Sequence, residues 1–130
     1  MALFVMQDDI AGGGLTTLLD TQVLIRYMSK KSLSVLHTTE FDIRVPKEFH
    51  KDKDFIRGRI LSANKLWRYR SDTIIRENCS QDQLDAIQEL DSMLDNPHLI
   101  LTTQLPRQHM LLLDNSRWFH GRTAIKDKNR

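Results

Sequence analysis

A chain of 130 residues has the length of one domain. With 40% hydrophobic and 28% charged residues its composition is ordinary for a globular protein, so disorder is not the expectation, and no low-complexity segment or internal repeat is found. A net charge of +2 is too small to argue by itself for nucleic acid or a membrane surface, and no apolar run approaches the roughly 20 residues of a membrane helix.

The opening Met1-Ala-Leu-Phe-Val-Met6 lacks a basic leader and runs straight into Gln7-Asp8-Asp9, so no signal peptide is expected. Residues 3–6 read as a short buried strand, followed by Ala11-Gly12-Gly13-Gly14, where close backbone approaches are possible. Leu15-Thr-Thr-Leu-Leu19 reads as a second strand. Asp20 or Thr21 then caps a helix with Val23, Leu24, Tyr27 and Met28 on one face, and Lys30 and Lys31 suit its C-terminal dipole.

In the middle, Phe41-Asp-Ile-Arg-Val45 alternates like a strand that Pro46 ends, and residues 47–53 form a charged loop. Leu66-Trp-Arg-Tyr-Arg70 alternates again, with Trp67 and Tyr69 on one side and Arg68 and Arg70 on the other. Cys79, a small residue before a helix start, is the single cysteine; it excludes an internal disulfide and fits a reducing cytoplasm. Ser80 and Gln83 then form a capping-box pattern, with Leu84, Ile87, Leu90 and Leu94 on one face and Asn96-Pro97 as the stop. Residues 99–105 and 110–114 read as buried core strands joined by a turn around Pro106-Arg107-Gln108.

The stretch with most chemistry is Asp114-Asn-Ser-Arg117, then Trp-Phe, then His120-Gly-Arg-Thr123. It resembles the "DNRR-x-x-HGRT-x-F" signature of the taurine dioxygenase and clavaminate synthase-like oxygenases, with Ile125 where phenylalanine is common. Gly13-Gly-Leu-Thr16 is similar to the family's "GG-x-T" element, and the two motifs stand in the family's order. The resemblance implies an iron(II)- and 2-oxoglutarate-dependent dioxygenase that hydroxylates a small, amino-acid-like molecule. Such iron centres use two histidines and one carboxylate and leave positions for co-substrate and oxygen.

By that resemblance His120 is an iron ligand. Arg130, ten residues later, and the Thr16 hydroxyl bind the far carboxylate of 2-oxoglutarate. Asp114 and Arg117 support the strand that carries His120. By the same resemblance the Leu66–Arg70 stretch occupies the place of a family strand whose arginines face the pocket, although ordinary strand residues with their charges in water are the favoured reading.

The family's His-x-Asp or His-x-Glu motif lies well before GG-x-T, at positions that would precede Met1. His37-Thr-Thr-Glu40 has the wrong spacing, and His50-Lys-Asp52 falls in a charged loop out of order. Asp8 and Asp9 bring no histidine. The expected fold is therefore mostly β with flanking α-helices, residues 1–130 forming a partial, C-terminal-half double-stranded β-helix (jelly roll). Such a half exposes sheet edges and invites self-association or pairing with a missing N-terminal half. The rival readings are a non-catalytic truncated scaffold acting as an interaction protein and a basic RNA-binding module built on Trp67, Arg68, Tyr69 and Arg70.

Overall fold

The computed structural model describes residues 1–5, 12–49, 53–124 and 126. In chain order its elements are β1 (Ala2–Phe4), β2 (Thr16–Asp20), α1 (Thr21–Tyr27), α2 (Lys30–Thr38), β3 (Phe41–Arg44), β4 (Phe55–Gly58), α3 (Gln81–Leu94), β5 (Leu101–Thr103), β6 (Met110–Leu112) and β7 (Trp118–Arg122). Short 3-10 turns lie at Lys47–Phe49, Ser71–Thr73 and Arg76–Asn78. By number of elements the chain is mostly β. It divides into two compact units, Met1–Val23 with Leu94–Arg130, and Leu24–Met93.

The first unit is built of antiparallel ladders between strands far apart in sequence. β2 is the centre of a three-stranded sheet in the order β5-β2-β7, and β1 pairs with β6 in a separate ribbon. Thr16, Leu18 and Leu19 of β2 are buried, as a central strand requires. β1 falls at Ala2–Phe4 rather than 3–6, and Met6 lies outside the described residues.

Two expectations about the leucine-rich runs are corrected here. The strands are shorter than residues 99–105 and 110–114, at Leu101–Thr103, paired with β2, and Met110–Leu112, paired with β1. Nor are they core strands: Leu101, Met110 and Leu112 are 58%, 59% and 73% exposed. In β6 only Leu111 is half-buried, because Met110 and Leu112 lie on the opposite face, with Phe4 of β1 paired to Met110. The turn after β5 does form, closed by the His109 N–H donating to the Pro106 carbonyl at 3.1 Å.

The second unit packs helices with a two-stranded ribbon, β3-β4. Its interior holds Leu24, Leu36, Phe41, Ile60, Ile87 and Leu90, all fully buried. β3 matches its alternating pattern. β4, unmarked by composition, pairs with it from Phe41↔Gly58 to Arg44↔Phe55. Asp42 is buried in this ribbon and accepts from Arg57 Nε at 2.9 Å and Asn78 Nδ2 at 2.8 Å.

α2 changes the account of Lys30 and Lys31. α1 stops at Tyr27, and the lysines open a new helix rather than close the old one. Ser29 is its N-cap, accepting the Ser32 N–H at 3.1 Å. Glu89 of α3 accepts the Ser29 N–H at 2.6 Å and the Ser29 hydroxyl at 2.8 Å, so a carboxylate sits where the helix dipole favours one. Burial alone would raise the Glu89 pKa; the hydrogen bonds from Ser32 and Ser29 outweigh it and leave it lowered.

The stretch 66–70 makes no strand ladder, only an isolated bridge between Leu61 and Trp67. The alternation survives as burial: Trp67 and Tyr69 are half-buried, Arg68 and Arg70 exposed. α3 begins as its sequence dictates. Ser80 N–H donates to Gln83 Oε1 at 2.9 Å, and Gln83 N–H donates to Ser80 Oγ at 3.3 Å, the two halves of a capping box.

Candidate functional site

β7 carries His120, and its ladder with β2 fixes what His120 faces. Leu18 stands opposite His120, and Thr16 opposite Arg122. Opposed residues and every second residue share a face, so Thr16 and His120 lie on one face as diagonal neighbours. Such neighbours are roughly 7–8 Å apart, which one small molecule can bridge. Thr16 is buried and His120 is exposed.

Both ends of this ladder are clamped. At the far end from Thr16, Arg117 donates to Asp20 Oδ2 through Nη2 at 2.8 Å and Nε at 3.3 Å. The Arg117 hydrogen bond, then the one from the Gln22 backbone, holds the Asp20 carboxyl below its ordinary range. Asp114 shapes the turn into β7: its Oδ1 accepts the Ser116 hydroxyl at 2.6 Å and the Ser116 N–H at 2.9 Å. The Ser116 bonds lower the Asp114 pKa as well.

At the other end the His-Gly-Arg-Thr run is tied to the glycine-rich segment. Arg122 Nε donates to the Gly14 carbonyl at 2.9 Å, and Thr123 Oγ1 accepts the Leu15 N–H at 2.8 Å. The backbones add Thr123 N–H to Leu15 O at 2.9 Å and Gly14 N–H to Ala124 O at 3.0 Å. Gly14 has φ of 63°, a left-handed conformation suited to glycine. Gly121 has a separate reason: a Cβ there would stand 2.9 Å from Thr17 Oγ1 across the ladder. Two motifs far apart in sequence are thus one hydrogen-bonded piece.

The structure brings together Thr16, His120, Asp114 and Arg117 with the strands expected to hold them. Arg130 lies outside the described residues, as do Asp8, Asp9, His50, Asp52 and Ile125. His37 sits on α2 in the other unit, its Nδ1 3.2 Å from the Leu61 carbonyl. Among the described residues no group of three His, Cys, Asp or Glu side chains could hold a metal ion. His120 alone does not make an iron site, so the described residues fit the metal only as a contributor to a larger set.

Sequence reasoning missed the partner roles of Asp20, Arg122 and Thr123. Asp20 was legible only as a helix cap, which it also is, accepting the Gln22 N–H at 3.0 Å. Within the Arg68–Arg70 stretch, Arg70 donates to both carboxylate oxygens of Asp72, at 2.8 and 2.9 Å. Tyr69 donates to Asp91 at 2.6 Å, and burial, then this bond, pushes its pKa up to about 12. No helix among the described residues is long and apolar enough to cross a membrane.

No protein-family model and no curated protein sequence matches the chain. Solved structures do. The chain is similar to asparagine oxygenase in complex with Fe(II), 2S,3S-3-hydroxyasparagine and succinate, at TM-score 0.82 and 18% identity, over 98% of this chain and 40% of that one. A second structure of asparagine oxygenase gives TM-score 0.79, 18% identity, and 98% and 38% coverage. At 18% identity this likeness is one of fold. The chain spans about two fifths of the length of these proteins.

Proposed function

We propose that this chain is the co-substrate-binding portion of a non-haem iron(II)- and 2-oxoglutarate-dependent dioxygenase acting on a small, amino-acid-like substrate. The observation that carries the reading is the β2–β7 ladder, which sets Thr16 and His120 on one face and fastens the two motifs to each other. In this reading the strands of the first unit belong to a double-stranded β-helix, completed by polypeptide beyond this sequence.

His120 would supply one iron ligand through an imidazole nitrogen, and the iron, when bound, would supply the oxidising chemistry. Thr16 would donate its hydroxyl to the far carboxylate of 2-oxoglutarate, with the Arg130 guanidinium pairing the same carboxylate. Arg117, Asp114, Arg122 and Thr123 hold β7 against β2 so that this spacing is kept. The single cysteine fits a cytoplasmic setting. A non-catalytic scaffold that binds a partner is the second reading, favoured by the exposed apolar strands β5 and β6 and by the lack of a three-ligand group among the described residues.

Calorimetric titration with 2-oxoglutarate separates the two. The oxygenase reading expects weak, saturable binding that Thr16→Ala and Arg130→Ala each reduce by about tenfold, the loss of one charge-assisted hydrogen bond. A folded chain that takes up no 2-oxoglutarate at millimolar concentration leaves the scaffold reading.

A further inference from the structure

The Leu24–Met93 unit contains a groove of about 390 Å³ between α2 and the turn that follows Leu61. That volume is in the range of small-molecule sites. Its floor is apolar, from Ile25, Leu33 and Leu61. Its polar lining is cationic: Lys30 and Lys65 contribute, together with the Ser34 and Ser62 hydroxyls, and no acidic side chain lines it. Lys31, the neighbour of Lys30, is paired with Asp82 at 2.6 Å, whereas neither Lys30 nor Lys65 is in an ion pair among the described residues.

The walls are held in place. Lys65 has φ of 58°, a left-handed conformation that a residue with a Cβ adopts only where its surroundings impose it. Here they do: the Lys65 N–H donates to Ser62 O at 3.0 Å, the Leu66 N–H to Ser62 Oγ at 3.1 Å, and the Ser62 N–H to Leu66 O at 2.9 Å. On the opposite wall His37 Nδ1 lies 3.2 Å from the Leu61 carbonyl. A carbonyl only accepts, so this contact is a hydrogen bond in the form of the ring that carries a hydrogen on Nδ1.

We propose that this groove binds a small organic carboxylate with an apolar body, such as an aromatic or short-chain monocarboxylic acid. The apolar floor takes the body, and the exposed Lys30 and Lys65, in no ion pair among the described residues, attract the charge. A bare anion would leave the floor unfilled. No residue of this groove belongs to the His120 ladder, so the site is additional to the function proposed above and independent of it.

The test is a residue-resolved NMR titration of the full chain with 4-phenylbutyrate, 4-phenylbutyramide and inorganic phosphate as probes. The expected result is saturable shifts at the amides of Leu33, Ser34, His37, Leu61 and Ala63 with 4-phenylbutyrate, and binding weaker by about fivefold or more with the neutral amide. Lys30→Gln with Lys65→Asn, the asparagine chosen because it tolerates a left-handed backbone, should weaken 4-phenylbutyrate by about tenfold without lowering the temperature of thermal unfolding. Absence of saturable shifts at these amides overturns the proposal. So does equal binding of the amide, an equal response to phosphate alone, or unchanged affinity in the double variant.

Discussion

The two units of this molecule use their apolar residues differently. In Leu24–Met93 the helices and the β3-β4 ribbon enclose a core that includes Phe41, Leu36, Ile60, Ile87 and Leu90, all fully buried. In the other unit Leu18 and Leu19 are the buried apolar side chains among the described residues, while Phe4, Leu101, Met110 and Leu112 are exposed. The first pattern is that of a finished interior. The second leaves apolar side chains of β1, β5 and β6 open on one face, and it is in this unit that the motif residues converge.

The largest expected effect breaks the comparison if it fails. Phe41→Ala empties a fully buried site and should cost about 3–5 kcal/mol in urea unfolding. Gly121→Ala comes next, because its methyl meets Thr17 Oγ1 at 2.9 Å in the β2–β7 ladder. A loss of about 1–2 kcal/mol is expected, and adding Thr17→Ala should recover most of it.

Acid should act through carboxylates whose folded pKa is lowered. Asp42 is held down first by the Arg57 hydrogen bond and then by that of Asn78. Its contribution is fully present above the unfolded value near about 4 and is lost as pH falls through the lower folded value. Thermal unfolding followed from neutral pH into acid should therefore lose less stability below about pH 4 in Asp42→Asn than in the parent. The smallest change in stability is expected at Leu112→Ser, within about 0.5 kcal/mol, since that side chain is 73% exposed. Its effect should appear in sedimentation across a concentration series, where the parent self-associates and the variant does so less.

What could be read from the sequence was mostly what is local. Ser80 and Gln83 announce α3 because both halves of the capping box lie within four residues. Phe41-Asp-Ile-Arg shows β3 because its alternation matches a half-covered strand. The His-Gly-Arg-Thr run and Thr16 stood out, but the bonds joining them, from Arg122 to Gly14 and from Leu15 to Thr123, span 108 residues and leave no local trace. α2 was missed because its cap is reinforced by Glu89, 60 residues away, and its two lysines read more naturally as a helix end. The 66–70 alternation misled in the opposite sense: burial alternates, yet no neighbouring strand completes a ladder. Periodicity tells which side chains are covered, while pairing is decided by remote backbone.

The central claim is that the face shared by Thr16 and His120 receives 2-oxoglutarate. The most direct measurement is a residue-resolved NMR titration of the full chain with 2-oxoglutarate, compared with propionate, which lacks the second carboxylate and the keto group. Saturable shifts at Gly14, Thr16, Leu18, His120 and Arg122, specific to 2-oxoglutarate and lost in Thr16→Ala, are the predicted result. Shifts confined to other residues, or equal shifts with propionate, would contradict it.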